Sequence, residues 1–197
     1  ATLRSSSKGV MRRAGIEASL SVFRMSITTG DDVSCLLRNY FIFLNGVSIV
    51  IFEGCVEGLF LAGRANGEME SRAKVVAVAD RGLEGDRYFY NRGSFSHWPG
   101  RGRQVTLIEA EVLASLPLSC AISAAQVRRN ILTKGIGLNN LVGEYFRVGA
   151  VVLYGVRLCD PCSHLDRLTR PGVMAALKGR GGLRADVVTC GVICVGD

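Results

Sequence analysis

The segment Arg157-Leu158-Cys159-Asp160-Pro161-Cys162-Ser163-His164 sets two thiols three residues apart, with a histidine two residues past the second. A thiolate presented this way binds a soft metal, carries sulfur or does redox chemistry. Zinc is the first rival, because Cys159 and Cys162 with Cys190 and Cys194 make four thiols in two clusters. On extended backbone, however, the four residues from Cys190 to Cys194 span about 13 Å, whereas two ligands of one zinc sit within about 4 Å of each other. A tight turn at Gly191 would shorten that span, so zinc is weakened and stays open. A dithiol oxidoreductase needs its first cysteine at a helix start, where the dipole favours the thiolate. Here the pair follows an apolar run, Val151 to Val156, that reads as a strand, and a short helix can begin at Ser163 just after the pair. That arrangement favours Cys162 over Cys159 and fits a single activated thiolate. His164, an isolated histidine, reads as a surface or hydrogen-bonding group rather than a catalytic base. Cys35, Cys55, Cys120, Cys190 and Cys194 read as small apolar core residues.

A second set of chemistry-bearing residues is cationic. Gln126-Val127-Arg128-Arg129-Asn130-Ile131-Leu132-Thr133-Lys134 gathers three cations and two amides on one short segment, and arginine offers a rigid fork suited to phosphate. The loop Glu84-Gly85-Asp86-Arg87 sets acid and base around a glycine, as a turn or as a pocket rim. Most other cations, among them Arg101, Arg103, Lys178, Arg180 and Arg184, read as a solvated basic face. The formal net charge of +7 favours anionic partners. Charge alone would admit nucleic acid, but aromatic residues make up only 7% of the chain and no stacking motif alternates with the basic residues, so the signal is weak and a nucleic-acid partner is not expected.

These residues need elements to hold them. A chain of 197 residues, 48% of them hydrophobic, suits one ordinary domain with a real core. Seven cysteines, an odd and scattered number, fit a reduced, intracellular and cytoplasmic setting better than a secreted disulfide framework. No apolar run reaches the length of a membrane span; Tyr40 to Phe52, interrupted by Asn45, Gly46 and Ser48, reads as a strand or a buried segment. Residues 1 to about 30 are Ser- and Arg-rich and nearly free of acid, which fits an organelle transit peptide or a basic, disordered or non-native tail. Residues 1–50 therefore stand apart from a regular region, 54–197. In that region Cys55 to Leu61, Lys74 to Ala79, Gln104 to Ile108, Arg129 to Leu132, Glu144 to Val148 and Ala150 to Leu158 read as strands. Asp186 to Thr189 and Val192 to Val195 read as a final hairpin. Glu109 to Leu116 and Pro171 to Lys178 read as short helices, the second opened by its proline and stopped by Gly179. The class is mainly β (a β-rich α+β chain), a barrel with short flanking helices.

The order of five motifs resembles the MOSC domain, named for the C-terminal domain of molybdenum-cofactor sulfurase. They are Gly82-Leu83-Glu84-Gly85-Asp86-Arg87-Tyr88, Val105-Thr106-Leu107-Ile108-Glu109, Arg128-Arg129-Asn130-Ile131, Leu141-Val142-Gly143-Glu144-x-Phe146-x-Val148-Gly149 and Cys159-x-Pro161-Cys162. The chain is similar to the small stand-alone members. The resemblance implies a β-barrel fold and a key cysteine, Cys162, that is either the protein ligand of molybdenum in a pterin cofactor or the carrier of a persulfide. It implies that Arg129 and Asn130 lie beside the cofactor, with Arg129 as the phosphate partner. Gly85, Asp86 and Arg87 then line the same pocket, with Cys159 and His164 as neighbours. It also implies an oxidoreductase acting on N-hydroxylated small molecules. Because no flavin, haem or iron–sulfur motif is visible, electrons would come from a separate reductase. In the sulfur-carrier reading, pyridoxal phosphate enters only through a cysteine desulfurase partner. A homodimer is a further assembly open to the chain.

Overall fold

The computed structural model describes residues 54–197 in full, together with the strands β1 (Val22–Arg24), β2 (Arg38–Leu44) and β3 (Val47–Glu53). The chain divides into two compact units, Ala1–Gly54 and Cys55–Asp197. In the first, β1, β2 and β3 form an antiparallel sheet in that order, so the run read as one segment from Tyr40 to Phe52 is two paired strands. The targeting or basic-tail reading of residues 1–30 lies almost wholly outside the described residues.

The second unit carries ten strands: β4 (Cys55–Leu61), β5 (Glu70–Arg72), β6 (Lys74–Val78), β7 (Gly82–Leu83), β8 (Val105–Glu109), β9 (Ile131–Lys134), β10 (Tyr145–Val148), β11 (Val151–Leu158), β12 (Leu183–Val187) and β13 (Gly191–Cys194). Its helices are short: α1 (Ala110–Ala114), α2 (Ser163–Leu168) and α3 (Val173–Ala176). Seven strands form one sheet in the order β10-β11-β12-β8-β9-β4-β5, and β13-β6-β7 form a second. Strands of both sheets send side chains into one core, from Leu59, Ala77 and Leu83 to Leu107, Leu153, Leu183 and Ile193. Two curved sheets closing on a shared interior make the barrel-like body expected of the sequence.

Alternation explains most strands. In β11, Val151 and Leu153 are buried while Val152, Tyr154 and Val156 face outward and are half-exposed. Strand β8 departs from this pattern, with Val105, Thr106, Leu107 and Ile108 all buried. It lies mid-sheet, and its outer side is covered by a second cluster in which Ile108 meets Val127, Leu165, Val173 and Leu177. Its pairing with β9 is parallel, and parallel neighbours need a long crossover. Residues 110–130 supply that crossover and include α1. Among the described residues no helix is long and apolar enough to cross a membrane.

Three sequence expectations shift. The final hairpin does not form: β12 lies between β11 and β8, while β13 pairs with β6 in the other sheet. Val188 and Thr189 donate their backbone N–H groups to the Val152 carbonyl, and the chain passes from one sheet to the other there. The strand expected from Arg129 starts at Ile131, and Arg128, with a left-handed φ of 63°, ends the turn that precedes it. The helix expected from Pro171 shrinks to Val173–Ala176, since Gly172 caps it with a φ of 93°.

Candidate functional site

The Cys159–Cys162 loop leaves the end of β11 and is clamped on its inner side. The Cys159 N–H donates to the Gly182 carbonyl at 2.7 Å, and the Cys159 carbonyl accepts from Arg129 Nη2 at 3.1 Å. Gly181 and Gly182 permit this approach. A Cβ on Gly181 would sit 2.4 Å from the Cys159 oxygen, and one on Gly182, where φ is 97°, would sit 1.9 Å from the Leu107 oxygen. Cys159 is 1% exposed and Cys162 is exposed. The pair that looks symmetric in sequence is thus one interior thiol and one surface thiol. Cys162 is the cap residue of α2, with extended backbone and its carbonyl accepting from the Leu165 N–H.

Cys162 opens onto a cleft whose charged lining is Arg87, Arg128, Arg129 and Arg184 against Asp160, with His164 beside them. Tyr88, Ser94, Phe95 and Thr106 complete much of the wall. Four guanidiniums facing one carboxylate make an anion-attracting concavity. Arg129 is less free than its position suggests. Its Nε, Nη1 and Nη2 donate to the carbonyls of Gly181, Val127 and Cys159 at 2.9, 3.1 and 3.1 Å. It holds the cysteine loop against the crossover and keeps two N–H groups uncommitted. Arg184 has a buried Nε with no partner, while one Nη reaches the Gly102 carbonyl at 3.4 Å. Arg128 is anchored through Nη1 to the Gly67 carbonyl at 2.8 Å. Burial, and then the charge of Arg87, press the Arg128 pKa below its ordinary value. A left-handed arginine crowded by like charge is a strained arrangement of the kind that gathers at binding sites.

Behind this wall lies a buried knot. Asp86 is 0% exposed; its Oδ1 accepts from the Tyr88 N–H at 2.9 Å, and its Oδ2 accepts from Arg87 Nη1 at 3.2 Å and Asn130 Nδ2 at 3.1 Å. Asn130, 3% exposed, uses both ends of its amide. Its Oδ1 accepts from the N–H and the hydroxyl of Thr106, and its Nδ2 also donates to the Phe60 carbonyl. Asn130 therefore joins β4, β8 and the Gly85-Asp86 loop. Gly85 turns that loop with a φ of 88°.

The structure thus brings Cys162, Arg129, Arg87 and His164 to one cleft. It sets Asn130, Asp86, Gly85 and Cys159 behind its walls, where they position the others. The Nε2 of His164 lies 2.9 Å from Asn66 Oδ1, and its Nδ1 lies 3.4 Å from Arg167 Nη2. These partners fit a neutral ring protonated at Nε2. Burial, then the charges of Arg167 and Arg128, hold its pKa below the ordinary histidine value.

Sequence reasoning did not single out Arg128, Arg184, Tyr88 or Phe95 for this site. Arg128 had a signal in its place beside Arg129. Arg184 had none, because only the sheet brings β12 to the cysteine loop. The core reading of the other cysteines is corrected where they are described. Cys190 is exposed and accepts from the Ala79 N–H, while Cys55, Cys120 and Cys194 are only half-buried; Cys35 lies outside the described residues. Cys190 and Cys194 flank and end a strand of the smaller sheet, while Cys159 and Cys162 follow β11 of the larger. Among the described residues no cluster of three or more His, Cys, Asp or Glu has metal-holding geometry.

Fold and site together define a β-barrel-like domain presenting one surface thiol to an arginine-lined cleft. Residues 84–197 match the MOSC domain, and the chain belongs to that family. It is thereby a molybdenum-cofactor-related domain. The crystal structure of the YuaD protein from Bacillus subtilis has the same fold, with a TM-score of 0.61 over 73% of this chain and 92% of that one at 18% identity. No curated protein matches the chain.

Proposed function

We propose that the cleft holds a molybdenum-pterin cofactor with the Cys162 thiolate as metal ligand, and that the protein reduces N-hydroxylated small molecules with electrons from a separate reductase. The observation that carries this reading is one exposed thiol sharing a cleft with four arginines and a single carboxylate. The donor set fits the group. A thiolate is a soft ligand for molybdenum, guanidinium forks match a phosphate, and Arg184 keeps a buried Nε without a partner at the site. When bound, the cofactor would supply a two-electron redox centre for reducing an N–OH group, with the electrons drawn from the separate reductase. The chain does the positioning. Arg129 fixes the Cys159 carbonyl and so sets where Cys162 stands. Asp86 holds Arg87 in the cleft wall through their ion pair. Arg128 and Arg184 have the least committed guanidiniums and are the phosphate partners. Tyr88 and Phe95 close part of the wall to water. The functional unit is the whole body from Cys55, since Leu59, Val75 and Ala77 belong to the core shared with the matched residues.

Exposure of Cys162 favours a second reading, a sulfur carrier whose persulfide comes from a cysteine desulfurase, because a partner can reach the sulfur directly. One experiment separates the two. Protein from a cofactor-competent host is assayed for molybdenum beside Cys162→Ser, and the wild type is analysed by mass spectrometry after incubation with a desulfurase and cysteine. About one molybdenum per chain, lost in the variant, supports the first reading. A Cys162 peptide heavier by one sulfur atom, with no molybdenum, overturns it in favour of the second.

A further inference from the structure

Strands β10, β11 and β12 present an outer face that the cleft touches only at Arg184. Register places Tyr145 opposite Tyr154, Arg147 opposite Val152, Tyr154 opposite Asp186 and Arg157 opposite Arg184. A bulge between Gly155 and Arg157 turns Arg157 outward. The residues of the three strands on this side thus include two tyrosines and three arginines, with Asp186, 7% exposed, as their one acid. Asp186 is already committed: its Oδ2 accepts from Arg101 Nε at 3.0 Å and its Oδ1 from the Gly102 N–H at 2.9 Å. The Tyr145 and Tyr154 rings lie 4.9 Å apart, and the Arg101 guanidinium stands 5.1 Å from the Tyr154 centroid. Tyr145 is 69% exposed. Arg184 belongs both to this face and to the cleft.

The geometry points to this face as a binding surface for single-stranded nucleic acid. Exposed aromatic rings on a sheet are platforms for bases, and flanking arginines take the phosphates between them. Charge favours the same occupant: the chain carries +7, and Asp186, the one acid of the three strands on this side, is committed to Arg101 and Gly102. Tyr145 offers the open ring for stacking, Tyr154 and Arg101 back it, and Arg147 and Arg157 lie where a backbone would pass. The 7% aromatic content is too low to announce this; strand pairing brings the rings together from positions nine residues apart. This inference does not depend on the cofactor, so it stands or falls separately from the function proposed above.

The test is a titration of the full chain with fluorescein-labelled 12-mers of deoxythymidine and of adenosine ribonucleotides, followed by anisotropy and by the fluorescence of Trp98, the chain's one tryptophan. Binding is expected to weaken as salt rises. Tyr145→Ala is expected to weaken it about 5- to 100-fold, and Tyr145→Phe to retain it. Arg147→Gln and Arg157→Gln should each reduce the salt slope by about 0.7. Cys162→Ser should bind the 12-mers as the wild type does, and Tyr145→Ala should keep the wild-type metal content. Absence of binding at micromolar protein in low salt overturns the proposal, as does equal affinity of Tyr145→Ala. Competition by adenosine monophosphate at the same site concentration reassigns the face to free nucleotides. Equally tight binding of polyglutamate, unaffected by Tyr145→Ala, reassigns it to an acidic protein; either result overturns the proposal.

Discussion

Replacing Asn130 with alanine tests whether this residue builds the cleft or touches what enters it. The side chain makes four hydrogen bonds: two accepted from Thr106 and two donated, to the Phe60 carbonyl and to Asp86. All lie in a region where Asn130 is 3% exposed. Truncation strands at least the Thr106 N–H and the Phe60 carbonyl, and each buried polar group left unpaired costs about 1–3 kcal/mol. The hydroxyl of Thr106 can turn elsewhere, and Asp86 keeps Arg87 and the Tyr88 N–H. The expected loss is therefore about 4 kcal/mol, at the upper end for one substitution. For a domain of this size it corresponds to a fall in Tm of roughly 12 °C. The assay is thermal denaturation of wild type and Asn130→Ala, with molybdenum content measured on the same samples below both transitions. Asn130→Asp makes a useful control, because it keeps the acceptor for Thr106 but sets a second carboxylate against Asp86, so its stability should improve as pH falls. Should Asn130→Ala melt within about 3 °C of the wild type while its molybdenum content collapses, the residue contacts the cofactor directly and the positioning argument is wrong.

Two further outcomes follow from the same geometry. Arg128→Gly relieves a φ of 63° and the crowding by Arg87, so its Tm should hold or rise by a few degrees; inorganic phosphate should bind it about tenfold more weakly, as measured by calorimetry. His164 has a folded pKa below its ordinary value. The unfolded chain then binds more protons in that window, and stability falls as pH drops below about 6.5 toward the lowered value. Thermal melts between pH 5 and 7.5 should show this slope in the wild type and a shallower one in His164→Gln. Identical slopes would remove His164 from the account.

Much of the fold was legible because alternation and motif order are local. Strands β4, β6, β10 and β11 appear within about a residue of where apolar spacing puts them, and Ser163–Leu168 is the helix expected after the cysteine pair. What failed was pairing. The Asp186–Val195 stretch has the look of a hairpin, yet its strands join different sheets, because a strand's partner is set by which apolar faces meet in the core.

The site divides along the same line. The sequence by itself determined that a thiol follows a strand, that arginines and a Gly-Asp loop accompany it, and that the family resemblance selects Cys162. The residue types and their order carry that chemistry. Only the tertiary structure decided which of those residues reach the cleft and which stand behind it. Asn130 and Asp86 are saturated by each other and by backbone, Arg129 is tied to three carbonyls, and Arg184 arrives from a distant strand. The physical reason is that a polar side chain's role depends on which partners satisfy it. Those partners come from strands whose adjacency is fixed only when the whole core closes.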